Sequence, residues 1–243
     1  MKRFCLAVSI CLLAVISVSA QVRYGVMGSV QASDVTSVVD LTSLDATLGT
    51  LEVPIDQRVG FRAGLMVDVP VTERLSIQPQ LLYSVKGGNV DVGTFIQDAL
   101  VRFGVSGTFP IENSVSKVVV NYVELPVLVT YRFAAGPGQF LVGAGPYAAV
   151  AIGGTVNGEP IDFDTNGFRK RDFGATASLG YELPGGLSLS AYYAHGLYNF
   201  SKNATPNFAA INPTNPTASI DPSAFGGTLR NRSYGLTIGY FIR

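Results

Sequence analysis

The sequence predicts an all-β fold: an eight-stranded antiparallel up-and-down transmembrane β-barrel with short periplasmic turns and four long external loops. Three observations predict it. Eight segments alternate with period 2, the spacing at which strand side chains share one face. One face of each segment is apolar, while the other gathers the charges and hydroxyls, the reverse of a soluble barrel that holds an apolar ligand. The connections run long, short, long, short, long, short, long, the asymmetry of an outer-membrane barrel.

The elements follow in order. Lys2 and Arg3 precede an apolar run, Phe4–Ile16, and the small residues Val18-Ser19-Ala20. Residues 1–20 are therefore expected to be a secretory signal peptide and 21–243 the barrel domain; a membrane anchor is the poorer reading because the apolar run is short. Strand one is expected over Val22–Gln31, with Val22, Tyr24, Val26 and Val30 outward and Arg23, Met27, Ser29 and Gln31 inward. Strand two covers Gln57–Val69 and strand three Arg74–Lys86, joined by the turn Pro70–Glu73. The stretch Gly87–Ser116 holds apolar pieces that suit either strand extensions or a small helix. Strands four and five form a hairpin over Asn121–Ile152, closed by a Gly/Pro turn. Strand six covers Arg171–Leu183, Pro184-Gly185-Gly186 is a tight turn, and strand seven covers Leu187–Tyr198. After a connection rich in Asn, Pro and Ser, strand eight covers Leu229–Ile242. An even strand number puts both termini on the periplasmic side. Tyrosines such as Tyr24, Tyr83, Tyr131, Tyr181, Tyr193, Tyr234 and Tyr240 sit on the apolar side toward strand ends, where a membrane boundary favours them.

The inward set carries Arg23, Arg62, Asp68, Lys86, Glu124, Arg132, Asp172 and Glu182. Eight strands leave an interior that side chains roughly fill, and buried charges must be paired or hydrated. An interior polar network that plugs the barrel is the expectation, with Glu124 and Arg132 each meeting an opposite charge across the lumen; the other reading is a narrow porin-like conduit or transporter for small solutes.

Other chemistries find little support. Cys5 and Cys11 both fall in the signal segment, so the remaining chain has no disulfide or cysteine metal site. A single histidine, His195, rules out a multi-His metal site; alternation places it on the lipid side, so it should lie near a rim. No GxSxG elbow is present, though Ser178 or Ser190 with His195 is conceivable in a hydrolase. Gly143-Ala144-Gly145 lacks the rest of a dinucleotide fingerprint, and Asp162 with Asp164 suits a solvated loop. Without Lys2 and Arg3 the chain holds 15 basic against 17 acidic residues, a balance that argues against nucleic acid. No catalytic residue, metal or cofactor is expected.

Several motifs carry a resemblance. Gln78-Pro79-Gln80-Leu81-Leu82-Tyr83-Ser84-Val85-Lys86-Gly87, Tyr122-Val123-Glu124-Leu125-Pro126, Gly143-Ala144-Gly145-Pro146-Tyr147, Asp172-Phe173-Gly174, Tyr193-Ala194-His195-Gly196-Leu197 with Asn199, and Tyr234-Gly235-Leu236-Thr237-Ile238-Gly239-Tyr240-Phe241 stand between Gln57 and Ile242. In these pieces the chain resembles the PorT-like, or porin-family, outer-membrane β-barrel proteins of Bacteroidetes-type bacteria. The resemblance implies an integral protein of the Gram-negative cell outer membrane and little about activity, although some relatives assist secretion; the leading reading of the chain is a non-enzymatic barrel with a structural, adhesive or secretion-associated role carried by its loops. The partners it implies are outer-membrane lipid, the barrel-assembly machinery and secretion-system components. One departure is the end, Phe241-Ile242-Arg243, where an aromatic terminus is usual in such barrels; Tyr240 or Phe241 is expected to replace it in insertion.

Overall fold

The computed structural model describes residues 22–40, 49–102, 104, 115–163, 169–199 and 228–242. The signal segment expected over 1–20, Asp164 and most of the last connection lie outside these residues. The described elements, in chain order, are β1 (Arg23–Asp40), β2 (Thr50–Glu52), β3 (Ile55–Pro70), β4 (Leu75–Asp91), α1 (Val92–Arg102), β5 (Val115–Ala135), β6 (Gly138–Val156), β7 (Glu159–Pro160), β8 (Arg171–Glu182), β9 (Leu187–Gly196) and β10 (Thr228–Ile242). Eight of the strands pair antiparallel with their neighbours in a ring, β1-β3-β4-β5-β6-β8-β9-β10, and β10 returns to β1. The short β2 and β7 pair outside the ring, on β1 and β6. Closure leaves the ring no free edge, which hydrocarbon could not satisfy. No helix among the described residues is long and apolar enough to cross a membrane.

The register sets the barrel's shape. Following cross-strand partners from Tyr24 round the ring through Val67, Val127, Ala175, His195 and Arg232 returns to β1 at Asp34, ten residues further on. That stagger requires tilted strands, about 35–45° in closed barrels. The alternation read from the sequence fixes the faces. Tyr24, Val30, Leu65, Leu125, Val129, Leu189, Leu236 and Ile238 are exposed on the outside, while Met27, Met66, Leu82, Leu128 and Tyr192 are buried within. Outward rings gather toward the short-turn end, where Tyr131, Phe133, Phe140 and Tyr181 form a chain of contacts 5.2–6.2 Å between centroids. The Tyr181 hydroxyl donates to Ala135 O at 2.8 Å and accepts from Gly138 N at 3.0 Å, clamping the β5–β6 turn.

Strands differ from their expected bounds mainly at the long-loop end. β1 reaches Asp40, β4 reaches Asp91, β5 starts at Val115 and β6 reaches Val156. Loss of apolar alternation there marks the edge of the hydrocarbon and not the end of the strand, because polar pairs such as Thr36 with Arg230 keep the ladder. The stretch 87–116 contains both expected alternatives, a strand extension and then α1. Asp91 caps that helix: its Oδ1 accepts from Thr94 N at 3.0 Å and its Oδ2 from the Thr94 hydroxyl at 2.8 Å.

Two prolines thin the ladder around the central hairpin. The β4–β5 ladder skips Leu125 and Pro126, and the β5–β6 ladder skips Gly145 and Pro146; neither proline has an N–H to give. The backbone closes in at this point: a Cβ on Gly145 would lie 1.9 Å from Val127 O. Only glycine fits.

Candidate functional site

The charged side chains expected inside occupy two levels of the lumen. At the short-turn end, Arg23 of β1 donates its Nε to Asp68 of β3 at 3.0 Å and its Nη2 to Glu182 of β8 at 3.1 Å; its Nη1 also contacts Glu182. Arg132 of β5 donates to the other oxygen of Asp68. Asp68 is wholly buried, and the side chain of Glu182 is 3% exposed. The chain Arg132–Asp68–Arg23–Glu182 thus crosses the bore, two cations against two anions. Phe241 lies beneath it, fully buried, with the Arg23 guanidinium 4.3 Å from its ring centroid. Of the two terminal aromatics, Phe241 is therefore inside the plug and Tyr240 faces out.

The second level lies toward the long-loop end. Lys86 of β4 meets Glu124 of β5 at 2.5 Å, both side chains 3–4% exposed. Its Nζ also sits 5.6 and 5.1 Å from the rings of Tyr122 and Tyr147. Glu124 is thus paired with its neighbouring strand and not across the lumen as the sequence suggested: its ladder partner is Leu82, and Lys86, four positions further along β4, points into the same space. Arg62 departs further from expectation: its guanidinium lies flat, 3.2 Å over the Tyr192 ring, and its Nε donates to Ser29 Oγ at 3.3 Å. Asp172 is held by neutral donors, the Tyr147 hydroxyl at 3.1 Å and Asn231 Nδ2 at 2.9 Å.

Neutral side chains complete this level, and the sequence reading did not single them out as site residues. Gln31 donates to Ser84 Oγ at 3.0 Å and Val85 O at 2.9 Å, and its Oε1 accepts from Tyr192. Ser33 accepts from Gly87 N at 3.0 Å and approaches Gly87 O at 3.1 Å. These contacts stand where the β3–β4 ladder breaks register between Gln57 and Arg62. Two side chains of β1 thus replace backbone hydrogen bonds that hydrocarbon would leave unmet. Their inward parity was visible in the sequence; the register break that gives them work was not.

Between the two levels lies a cavity with about 50 Å³ of room for water centres, enough for a few waters. Gln78, Gln80, Thr130, Ser178, Ser190 and Thr237 are part of its wall. Ser178 and Ser190 therefore face the lumen, whereas His195 stacks on the outward Tyr193, rings 6.4 Å apart and 9° from parallel. A serine–histidine pair does not form, because neighbouring faces of a strand cannot meet through the wall. His195 lies one residue from the long-loop end of β9, near the rim as alternation required. Above the second level, Ile161 and Phe163 turn inward onto Tyr122, Ala149, Ala151 and Leu229, corking the mouth. Among the described residues no three His, Asp or Glu side chains converge as a metal site.

A family description, outer membrane protein beta-barrel domain, matches residues 17–202. None of the curated proteins matches the chain. Among solved structures, Neisserial surface protein A is similar at 9% identity, with TM-score 0.44, covering 91% of this chain and 99% of its own. OprG of Pseudomonas aeruginosa is similar at 11% identity, with TM-score 0.46, covering 91% and 96%. Ail of Yersinia pestis, in complex with a heparin analogue, is similar at 9% identity, with TM-score 0.40, covering 92% and 100%. At these values the likenesses carry no functional argument; the assignment stands on the family match and the closed ring of strands.

Proposed function

The chain belongs to the outer membrane β-barrel domain family, and on that premise we propose that it acts as a closed, non-enzymatic scaffold presenting its long loops outside the cell. The carrying observation is the Arg132–Asp68–Arg23–Glu182 chain, which bars the bore at one level and is supported by Phe241. A charge-paired plug with the Lys86–Glu124 and Asp172 level above it is what an eight-stranded wall holds when its interior serves rigidity. Activity then falls to the loops, in a structural, adhesive or secretion-associated role.

Finer parts of the reading rest on the motifs. We place the chain with the PorT-like barrels of Bacteroidetes-type bacteria, exported by residues 1–20, with both termini periplasmic. The outward Tyr240 is the terminal aromatic open to the barrel-assembly machinery, and secretion-system components are the partners for loops and turns. A conduit is the second reading, favoured by the hydroxyl-lined cavity; it requires the plug to move. Planar-bilayer recording separates the two. The scaffold reading expects no steady conductance from the refolded chain, and none from Arg23→Ser with Arg132→Ser, which leave the Lys86–Glu124 level and the Ile161–Phe163 cork in place. Steady conductance of the unaltered chain, with heat-modifiable mobility intact, would overturn it.

A further inference from the structure

The outward face carries an ionic cluster that the scaffold reading leaves without a task. On β10 the outward row runs Ile242, Tyr240, Ile238, Leu236 and Tyr234, then changes to Arg232 and Arg230. On β9 it runs Leu187, Leu189, Ala191 and Tyr193, then His195; on β1, Val30 and Ala32, then Asp34. On β6 the same level stays apolar, with Val150 48% and Ile152 59% exposed. The ions, with Arg171 at the outward end of β8 beside Val150, therefore leave the β6 stretch of the rim bare and do not make a full girdle.

Within the arc that β9, β10 and β1 make, the groups are ladder neighbours, and several are paired. Arg232 is the ladder partner of both His195 and Asp34. Asp34 accepts from its Nε at 2.9 Å and its Nη2 at 2.7 Å, which fixes the guanidinium while leaving the side chain 42% exposed. Arg230, two residues on, is exposed opposite Thr36 and forms no ion pair with another of the described residues. The Tyr193 hydroxyl lies 3.5 Å from His195 Nδ1, and the Tyr234 hydroxyl donates to Gln57 Oε1 at 2.6 Å. Two guanidinium groups, an imidazole, two phenols and an amide thus stand on neighbouring ladder positions just above a tyrosine-edged apolar wall. The Arg232 fork is held by Asp34, so the exposed guanidinium of Arg230 is the group that matches phosphate oxygens, while the phenols and amide match sugar hydroxyls. The surface is flat, with no walls to hold a free anion, so its ligand must be anchored by the hydrocarbon below.

We propose that Tyr193, His195, Arg230, Arg232 and Tyr234 dock the phosphorylated sugar headgroup of an outer-leaflet glycolipid. The proposal rests on the reading that the long loops face outside. The test uses the refolded full chain in detergent, with bound lipid counted by native mass spectrometry. Probes are bis-phosphorylated lipid A, the same lipid dephosphorylated, and phosphatidylglycerol. Preferential retention of the phosphorylated glycolipid is expected, falling about fivefold when Arg230→Gln removes one charge and falling further when His195→Gln removes a hydrogen-bonding ring. Lys117→Gln, an exposed cation on β5 away from the arc, should leave retention unchanged. Equal retention of the dephosphorylated lipid, equal competition by phosphatidylglycerol, unaltered binding by Arg230→Gln with His195→Gln, or an equal loss in Lys117→Gln would each overturn the proposal. Orientation is read separately: Glu159→Cys, in a chain whose other cysteines lie in the signal segment, should be labelled from outside intact cells. Failure of that labelling overturns the outward reading, whatever the lipids do.

Discussion

Removing either partner of the Lys86–Glu124 pair should destabilise the barrel, but by unequal amounts, and removing both should restore most of the loss. The pair is enclosed, with 3% and 4% side-chain exposure and a 2.5 Å contact. Deleting one member of such a pair costs about 3–5 kcal/mol because the other charge stays buried. In Glu124→Leu the lysine keeps the faces of Tyr122 and Tyr147 at 5.6 and 5.1 Å, each worth about 0.5–2 kcal/mol. In Lys86→Met the carboxylate keeps no ion pair among the described residues, only the longer-range attraction of the Arg62 guanidinium. Glu124→Leu is thus expected near the bottom of that range, about 3 kcal/mol, and Lys86→Met near the top, about 5 kcal/mol. The double variant should fall well below their sum, near neutral for a well-packed apolar replacement. Urea unfolding of the chain folded into lipid vesicles, followed by heat-modifiable mobility and tyrosine fluorescence, measures all three. The reasoning fails if Glu124→Leu is the worse single change, or if the two effects simply add.

Other expectations follow from the wall and the loops. Val127→Arg puts a guanidinium at mid-strand on the lipid side and should cost about 2–4 kcal/mol in the same assay; normal stability would count against hydrocarbon around the barrel. Gly145→Ala brings a Cβ to 1.9 Å from Val127 O and should abolish heat-modifiable folding, whereas Gly28→Ala, with nothing within 4 Å of the added carbon, should leave it intact. The Thr94 N–H and hydroxyl hold the Asp91 carboxyl below its ordinary value of 3.8. A depressed folded value means the cap's contribution is whole above that pH and is lost as acid takes the carboxylate through its folded value. Hydrogen exchange over residues 92–102 should therefore quicken only below about pH 4, and Asp91→Ala should quicken it at neutral pH by about 1 kcal/mol of lost capping.

Much of this molecule is written in side-chain parity. Alternation is local, so Leu65, Val129 and Ile238 could be assigned to the outside and Asp68, Glu124 and Asp172 to the inside without knowing any strand's partner. Pairing is not local. Whether Arg62 would find a carboxylate or the face of Tyr192 depends on which strands lie opposite across the bore, and hence on the ten-residue stagger. The motifs show the same division. Gly-Ala-Gly-Pro-Tyr and Asp-Phe-Gly are separate in the chain, yet Tyr147 lies against Gly174, where a Cβ would meet its ring at 2.5 Å, and its hydroxyl reaches Asp172. Asn231, from the final strand, joins that pair and Tyr122. Nothing in any one segment announced the meeting. The extended strand ends were misjudged for a related reason, since a strand beyond the hydrocarbon needs only backbone partners and leaves no hydropathy signal.

The seam between β1 and β10 has a consequence for how the molecule is made. It joins the first described strand to the last through fifteen aligned positions, from Tyr24 with Ile242 to Val38 with Thr228. The join cannot form until β10 is present, so any product that stops short of β10 keeps two raw margins ready to capture a neighbour. Closure is then one late, long-range event, slow by the usual link between loop length and rate. Truncation before Thr228 should yield an open, self-associating sheet and not a smaller barrel.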